Sequence, residues 1–173
     1  MSNALVTLFV LALMITAVLT WSMVSIGAVD SGAESWKEMV NTAVEVSRTD
    51  IRVNGAEMRD GLVEVLVHNR GEVRLADFHK WDIIVSHYDE AGALHISSLS
   101  YAGGEPVNGE WTVAAIYTDT SLSRPEVFEP GILNPGEAAL LMLDLDPVPA
   151  TGTVNQVIIS TPSGVVASKQ FQG

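Results

Sequence analysis

The chain has 173 residues, of which 21 are acidic and nine basic, giving a formal net charge of −12, and it has no cysteine. A surface this acidic repels nucleic acid and anionic lipid, which excludes a nucleic-acid partner. The absence of thiols excludes disulfides and thiolate metal sites, and the length suits one globular domain with an appendage.

The appendage comes first. Met1 to Val29 carries no charged side chain, and Asp30 is the first. As a helix this stretch would extend about 43 Å, more than the roughly 30 Å hydrocarbon core of a bilayer. A secretory signal has a basic start and a short apolar segment; here the apolar run is long and no Lys or Arg precedes Lys37. That pattern suits a mature chain from which a short basic leader has been removed ahead of residue 1.

Polar residues in this stretch are small. Ala12, Thr16 and Thr20 recur at every fourth position on one helix face, a spacing that lets helix backbones approach closely. Trp36, Met39, Val40, Ala43 and Val44 follow at helical spacing, so an amphipathic continuation is expected. The pattern predicts one long helix ending near Arg48, with Gly32 as a point of bending; Asp30 or Ser35 capping a separate helix is the alternative.

The texture changes at Thr49. Turn signals follow at short intervals: Asn54-Gly55, Asp60-Gly61, Asn69-Arg70-Gly71, Glu90-Ala91-Gly92, Asn108-Gly109, Asn134-Pro135-Gly136 and Pro162-Ser163-Gly164. Between them lie strand-like runs. Val63, Val65 and Val67 alternate with Glu64, Leu66 and His68, and Trp81, Ile83 and Val85 with Asp82, Ile84 and Ser86. Trp111 to Tyr117, Leu140 to Leu145, Val157 to Ser160 and Val165 to Phe171 continue the pattern. Short strands at regular intervals predict an immunoglobulin-like β-sandwich, so the fold class is α+β: a helical segment 1–48 and a β-domain 49–173. The candidate core is Val63, Val65, Val67, Phe78, Trp81, Ile83, Leu141 and Leu143. Asp119 to Glu137, with three prolines, is the longest non-periodic segment and reads as an outer loop or a segment packed by a neighbour.

Little points to chemistry. His68, His79, His87 and His95 fall in no metal-ligand motif, and solvated or hydrogen-bonded roles are expected for all four. Asp144 and Asp146, two apart on a predicted strand face, and Asp119 at the start of a loop are the candidate calcium ligands, but no loop has the spacing that calcium-binding loops use. There is no nucleophile elbow and no phosphate-binding loop, so neither an enzyme nor a cofactor is expected. No N-x-Ser/Thr glycosylation site occurs.

An apolar N-terminal helix leading into an all-β head resembles the plan of archaellins, the subunits of the archaeal swimming filament within the type IV pilin-like superfamily. Leu62 to Asp89, LVEVLVHNRGEVRLADFHKWDIIVSHYD, resembles a segment of the archaellar stator-type proteins FlaF and FlaG: a strand, an N-x-G turn, a D-F-x-x-W-D element and a second strand. Ile132 to Leu145, ILNPGEAALLMLDL, is similar to the N-P-G-E-plus-strand element of the same group, and Thr161 to Phe171 to a closing hairpin. The resemblance implies leader removal by a prepilin-type peptidase. It also implies a non-catalytic role as an extracellular filament subunit, inserted in the membrane before assembly.

Such a subunit would polymerise with copies of itself, served by the archaellum assembly motor and platform. The helix residues expected to pack are Leu5, Leu8, Phe9, Ala12, Leu13, Thr16, Leu19, Thr20, Met23, Trp36 and Val40. The alternative is a membrane-anchored stator or adaptor whose β-domain binds a cell-envelope partner.

Overall fold

The computed structural model describes residues 2–173, with the side chains of residues 2, 4, 24–33 and 35 outside the description. Met1, on which the reading of the processed start falls, lies outside the described residues. The chain forms two compact units, Met1–Ala43 and Val44–Gly173.

One α-helix, α1, runs from Ser2 to Arg48. It is continuous through residues 30–35, so no second helix is capped by Asp30 or Ser35. Its termination is built locally, within the second unit. The Thr49 hydroxyl donates to the Glu45 carbonyl at 2.8 Å, and the Glu72 amide donates to the Arg48 carbonyl at 2.8 Å. The Arg70 and Gly71 amides then both take the Asp50 carbonyl, at 2.8 and 3.0 Å. Gly71 is required here: a Cβ on it would sit 2.5 Å from the Arg48 carbonyl oxygen and 2.6 Å from the Asp50 nitrogen.

Eight strands follow: β1 Ile51–Arg59, β2 Leu62–Asn69, β3 Asp82–Tyr88, β4 Leu94–Tyr101, β5 Glu110–Tyr117, β6 Ala138–Leu143, β7 Val154–Ser160 and β8 Val166–Gln172. The order across the sheet is β1-β2-β6-β5-β4-β3-β7-β8. Every pairing is antiparallel except β4 with β5, a short parallel contact of Ser100 with Glu110 and Tyr101 with Trp111. That contact links two layers, β1-β2-β6-β5 and β4-β3-β7-β8, along one margin. At the other margin β8 returns alongside β1, so the sheet nearly closes on itself. Read as strands A-B-E-D and C′-C-F-G, the order is immunoglobulin-like, without the cysteine pair of antibody domains.

The core lies between the layers. Val63, Val65, Val67, Trp81, Ile83, Leu141 and Leu143 are buried there, with Phe78, Trp111, Leu133, Val157 and Ile159. The Val-x-Val-x-Val run of β2 alternates strictly between buried and half-buried positions, as the two-residue period of a strand requires.

Several expectations are corrected. Asn54-Gly55 is no turn: it lies inside β1, where the register with β2 slips between Val53 and Gly55. The extra residue is a β-bulge, a position that an Asn-Gly pair accepts as readily as a hairpin turn. The hairpin turn is Asp60-Gly61, both residues at positive φ, the geometry of the tight two-residue connection. β1 and β4 are strands that the sequence pattern does not predict, because their polar-rich sequences hide the alternation. Strand β6 ends at Leu143, so Asp144 and Asp146 lie beyond it and share no strand face. The backbone amide and carbonyl of Asp144 are taken by Glu110 and Gly109.

Candidate functional site

Three surfaces carry the functional argument: the apolar helix, a junction of two turn motifs, and a pinned loop.

On the helix, Leu5–Met23 is a 19-residue stretch with mean hydropathy 2.3, long and apolar enough to cross a membrane. At about 1.5 Å per residue it extends about 28 Å, close to the thickness of a bilayer's hydrocarbon core. Leu5, Leu8, Phe9, Ala12, Leu13, Thr16, Leu19, Thr20 and Met23 are all exposed, as are Trp36 and Val40 further along. The threonine hydroxyls are closed onto the helix itself. Thr16 donates to the Ala12 and Leu13 carbonyls at 3.0 and 2.9 Å, Thr20 to Thr16 and Ala17 at 2.9 and 3.0 Å, and Thr7 to Asn3 at 2.8 Å. A hydroxyl satisfied in this way carries little desolvation cost in lipid or in a helix bundle, so the stretch presents methyl and methylene surface almost throughout.

The second surface unites two motifs far apart in sequence, Asn69-Arg70-Gly71 and Asn134-Pro135-Gly136-Glu137. Asn69 is fully buried at the end of β2. Its amide nitrogen donates to the Val73 and Leu133 carbonyls at 2.8 and 2.9 Å, and its carbonyl oxygen accepts the Gly71 amide at 3.0 Å. Its own backbone takes the Glu137 carbonyl at 3.0 Å and the Gly136 amide at 2.8 Å. The Glu137 carboxylate, itself buried, accepts the Asn134 amide at 2.7 Å. Arg74 closes the junction by donating to Asn134 Oδ1 at 3.0 Å and pairing with Glu129 at 2.9 Å.

The third element of the resemblance, Phe78 to Asp82, is a 3-10 turn, Phe78–Lys80, feeding β3. Phe78 and Trp81 are buried with ring centroids 5.2 Å apart, and the Trp81 indole donates to Ala76. Asp77 precedes the turn at φ 52, and its bond to Lys80 holds its carboxyl below the usual range. All of this is architecture. Among the described residues no group of three or more His, Asp or Glu is placed to hold a metal ion.

The loop from Thr118 to Glu137 is the third surface. It is tied down along its length: the Glu126 amide donates to Ile116 at 2.7 Å, and Leu75 and Leu133 bridge with mutual bonds of 3.0 and 2.7 Å. The Phe128 and Glu129 amides both donate to the Glu126 carboxylate, which holds that carboxyl below the usual range. Phe128 itself projects into solvent, 90% exposed, beside the exposed Val127. A large aromatic on a pinned backbone has already lost much of the conformational freedom that binding would otherwise remove.

The histidines separate. His79 is exposed and His68 half-buried. His87 is completely buried, which sequence reasoning missed although it continues the inward alternation Trp81, Ile83, Val85. Its Nε2 donates to the Pro147 carbonyl at 2.8 Å, leaving Nδ1 without a partner. Burial is the main reason its pKa is lowered. His95 stacks on it at 5.5 Å and bonds Asp89 at 2.9 Å, which pulls the Asp89 carboxyl below the usual range. A cleft of about 350 Å³ opens beside this cluster, lined by Asp89, Glu90, Ala91, Pro147, Val148 and Pro149.

No family model matches the chain. An uncharacterized protein of Archaeoglobus fulgidus is 28% identical over 169 residues, which cover 94% of this chain and 92% of its own length. Among solved structures, the archaeal flagellum of Methanospirillum hungatei strain JF1 is similar in fold, with TM-score 0.57 at 13% identity over 96% of this chain and 90% of that one. The archaellum periplasmic stator protein complex of FlaF and FlaG from Sulfolobus acidocaldarius gives TM-score 0.50 at 19% identity, over 70% of this chain and 87% of that one. At these identities the likeness is one of fold: the chain shares the architecture of an archaellar filament protein over almost its whole length, and that of an archaellar stator over most of it.

Proposed function

We propose that this chain is a membrane-anchored component of an archaellum-type machine, with α1 in the bilayer and the β-domain outside the cell as a stator or adaptor that binds an envelope partner. The observation that carries the reading is Leu5–Met23, an exposed apolar stretch of one bilayer's thickness whose threonine hydroxyls are closed onto its own backbone. The stator likeness in fold supports it. Phe128 on its pinned loop is the natural anchor for the partner.

A second reading, the filament subunit, has its own support. The flagellum likeness includes the helix, and Trp36, Met39 and Val40 expose apolar surface beyond a single span. In a polymer that surface would be buried against copies of α1.

Fractionation of cells producing the chain distinguishes the two. An anchored stator resists alkaline extraction of membranes and is absent from sheared material. A filament subunit dominates the sheared pellet as fibres. A chain found soluble and unassembled overturns both.

A further inference from the structure

The outward face of the β4-β3-β7-β8 layer is almost free of charge. Along the register, Ser98, Ile84, Ile158 and Ser168 form one row across the strands, and Ile96, Ser86, Gln156 and Gln170 the next. Asp82 is the single charged residue among the outward positions of these strands, in a chain of net charge −12. The face is also apolar where an ordinary solvated face is not: Ile96 is 72% exposed, Val166 59% and Leu94 54%. The opposite layer shows the ordinary pattern, with Arg52, Glu57, Arg59 and Glu64 on its outer side.

We propose that this face is a self-association surface that pairs with the same face of a second copy of the chain. Two acidic copies repel wherever carboxylates meet, so they approach closely only through a surface nearly free of them, and this face carries one, Asp82, at its margin. The face is self-complementary under a two-fold rotation, because its centre is the cross-strand pair Ile84–Ile158, flanked by the small and amide side chains of Ser86 and Gln156.

The area sets the strength. Each of β3, β7 and β8 has seven residues; at about 3.4 Å per residue and about 4.8 Å between strands, the four-stranded face covers about 450 Å². Two such faces bury about 900 Å², below the roughly 1,200 Å² at which stable interfaces begin. Pairing is therefore weak for copies free in solution. It becomes populated when their helices confine them to one membrane, by raising the effective concentration. This last step rests on the membrane reading above; the pairing surface itself does not.

The absence of cysteine makes the test clean. The full chain carrying Ser86→Cys is reconstituted in neutral phosphatidylcholine vesicles and treated with a short bis-maleimide, with alkaline extraction run in parallel. A cross-linked dimer is expected from Ser86→Cys, reduced at least about tenfold when Ile96→Glu is added, since each added carboxylate would be buried without a partner against a second acidic copy. Arg52→Cys, on the outer side of the opposite layer, is expected to stay monomeric. Monomer only from Ser86→Cys in extraction-resistant chain, equal cross-linking from Arg52→Cys, or cross-linking indifferent to Ile96→Glu each overturns the pairing. If alkali releases the chain, the membrane reading fails. The same cross-link is then sought in the soluble chain at high concentration, where its absence overturns the surface as well.

Discussion

Replacing Asn69 by Ala removes three hydrogen bonds at one stroke, and their fates differ. The Leu133 carbonyl keeps the Leu75 amide, and the Gly71 amide keeps the Asp50 carbonyl. The Val73 carbonyl, 2.8 Å from the lost nitrogen, is left to find another donor. At about 1 kcal/mol net per bond, and about 1–3 kcal/mol for a buried group left unpaired, the variant should lose about 2–4 kcal/mol. With a urea dependence of about 2 kcal/mol per molar, the unfolding midpoint falls by about 1–2 M. The assay is urea unfolding at pH 7 of residues 44–173, read by the fluorescence of the buried Trp81 and Trp111. Asn69→Asp should be worse than Ala, because an unpaired carboxylate would face the Val73 and Leu133 carbonyls where the amide now donates at 2.8 and 2.9 Å. A loss under about 1 kcal/mol for Ala, or an Asp variant as stable as the parent, would refute the role given to the junction.

Other predictions follow from single groups. His87 is held neutral by burial, so the unfolded chain binds the extra proton first as pH falls below about 6.5; stability is full above that pH and declines toward the depressed folded pKa. His87→Gln should flatten that decline in urea titrations from pH 7 to 5, and an unchanged slope would mean that the lost stability comes from another group. Gly71→Ala forces a methyl onto the backbone of residues 48–50 and should destabilise by more than 2 kcal/mol, on the order of other severe backbone clashes. A midpoint unchanged in thermal unfolding counts against the close approach. Leu13→Asp at the middle of the apolar stretch adds about 2.5–3.5 kcal/mol to membrane insertion and should shift the chain out of the alkali-resistant fraction without altering β-domain unfolding. Phe128→Ala should leave stability within about 0.5 kcal/mol, since the ring is exposed, yet weaken partner capture by more than about 1 kcal/mol in a binding titration.

The parts legible in the sequence were those governed by strong periodicity. A charge-free run from Met1 to Val29 leaves few choices but a long helix, and Val63, Val65 and Val67 announce a strand with one buried face. What stayed hidden was decided by context. An Asn-Gly pair is the same dipeptide in a bulge as in a turn, and only the pairing of β1 with β2 distinguishes them. β4 reads LHISSLSY, where Leu94 and Ile96 face outward while His95 and Ser97 face inward, so the strand shows no hydropathy contrast. The meeting of Asn69 with Asn134 depends on β2 and β6 being neighbours, and no local pattern encodes that adjacency.

The end of α1 has a mechanical meaning. Within the unit Val44–Gly173 the chain leaves the helix at Arg48 and enters β1 after only two residues, while the loop that follows β2 grips the same corner through Arg48, Asp50 and the Arg48–Glu72 ion pair. A tension applied along the helix thus divides at that corner. One share runs into β1 and loads its ladder with β2 along the strand direction, so several bonds must yield at once. The other passes through Gly71 to Asn69, and from there through the Leu133 and Glu137 bonds to β6 in the middle of its layer. A domain coupled in this way resists a steady pull through many bonds in parallel.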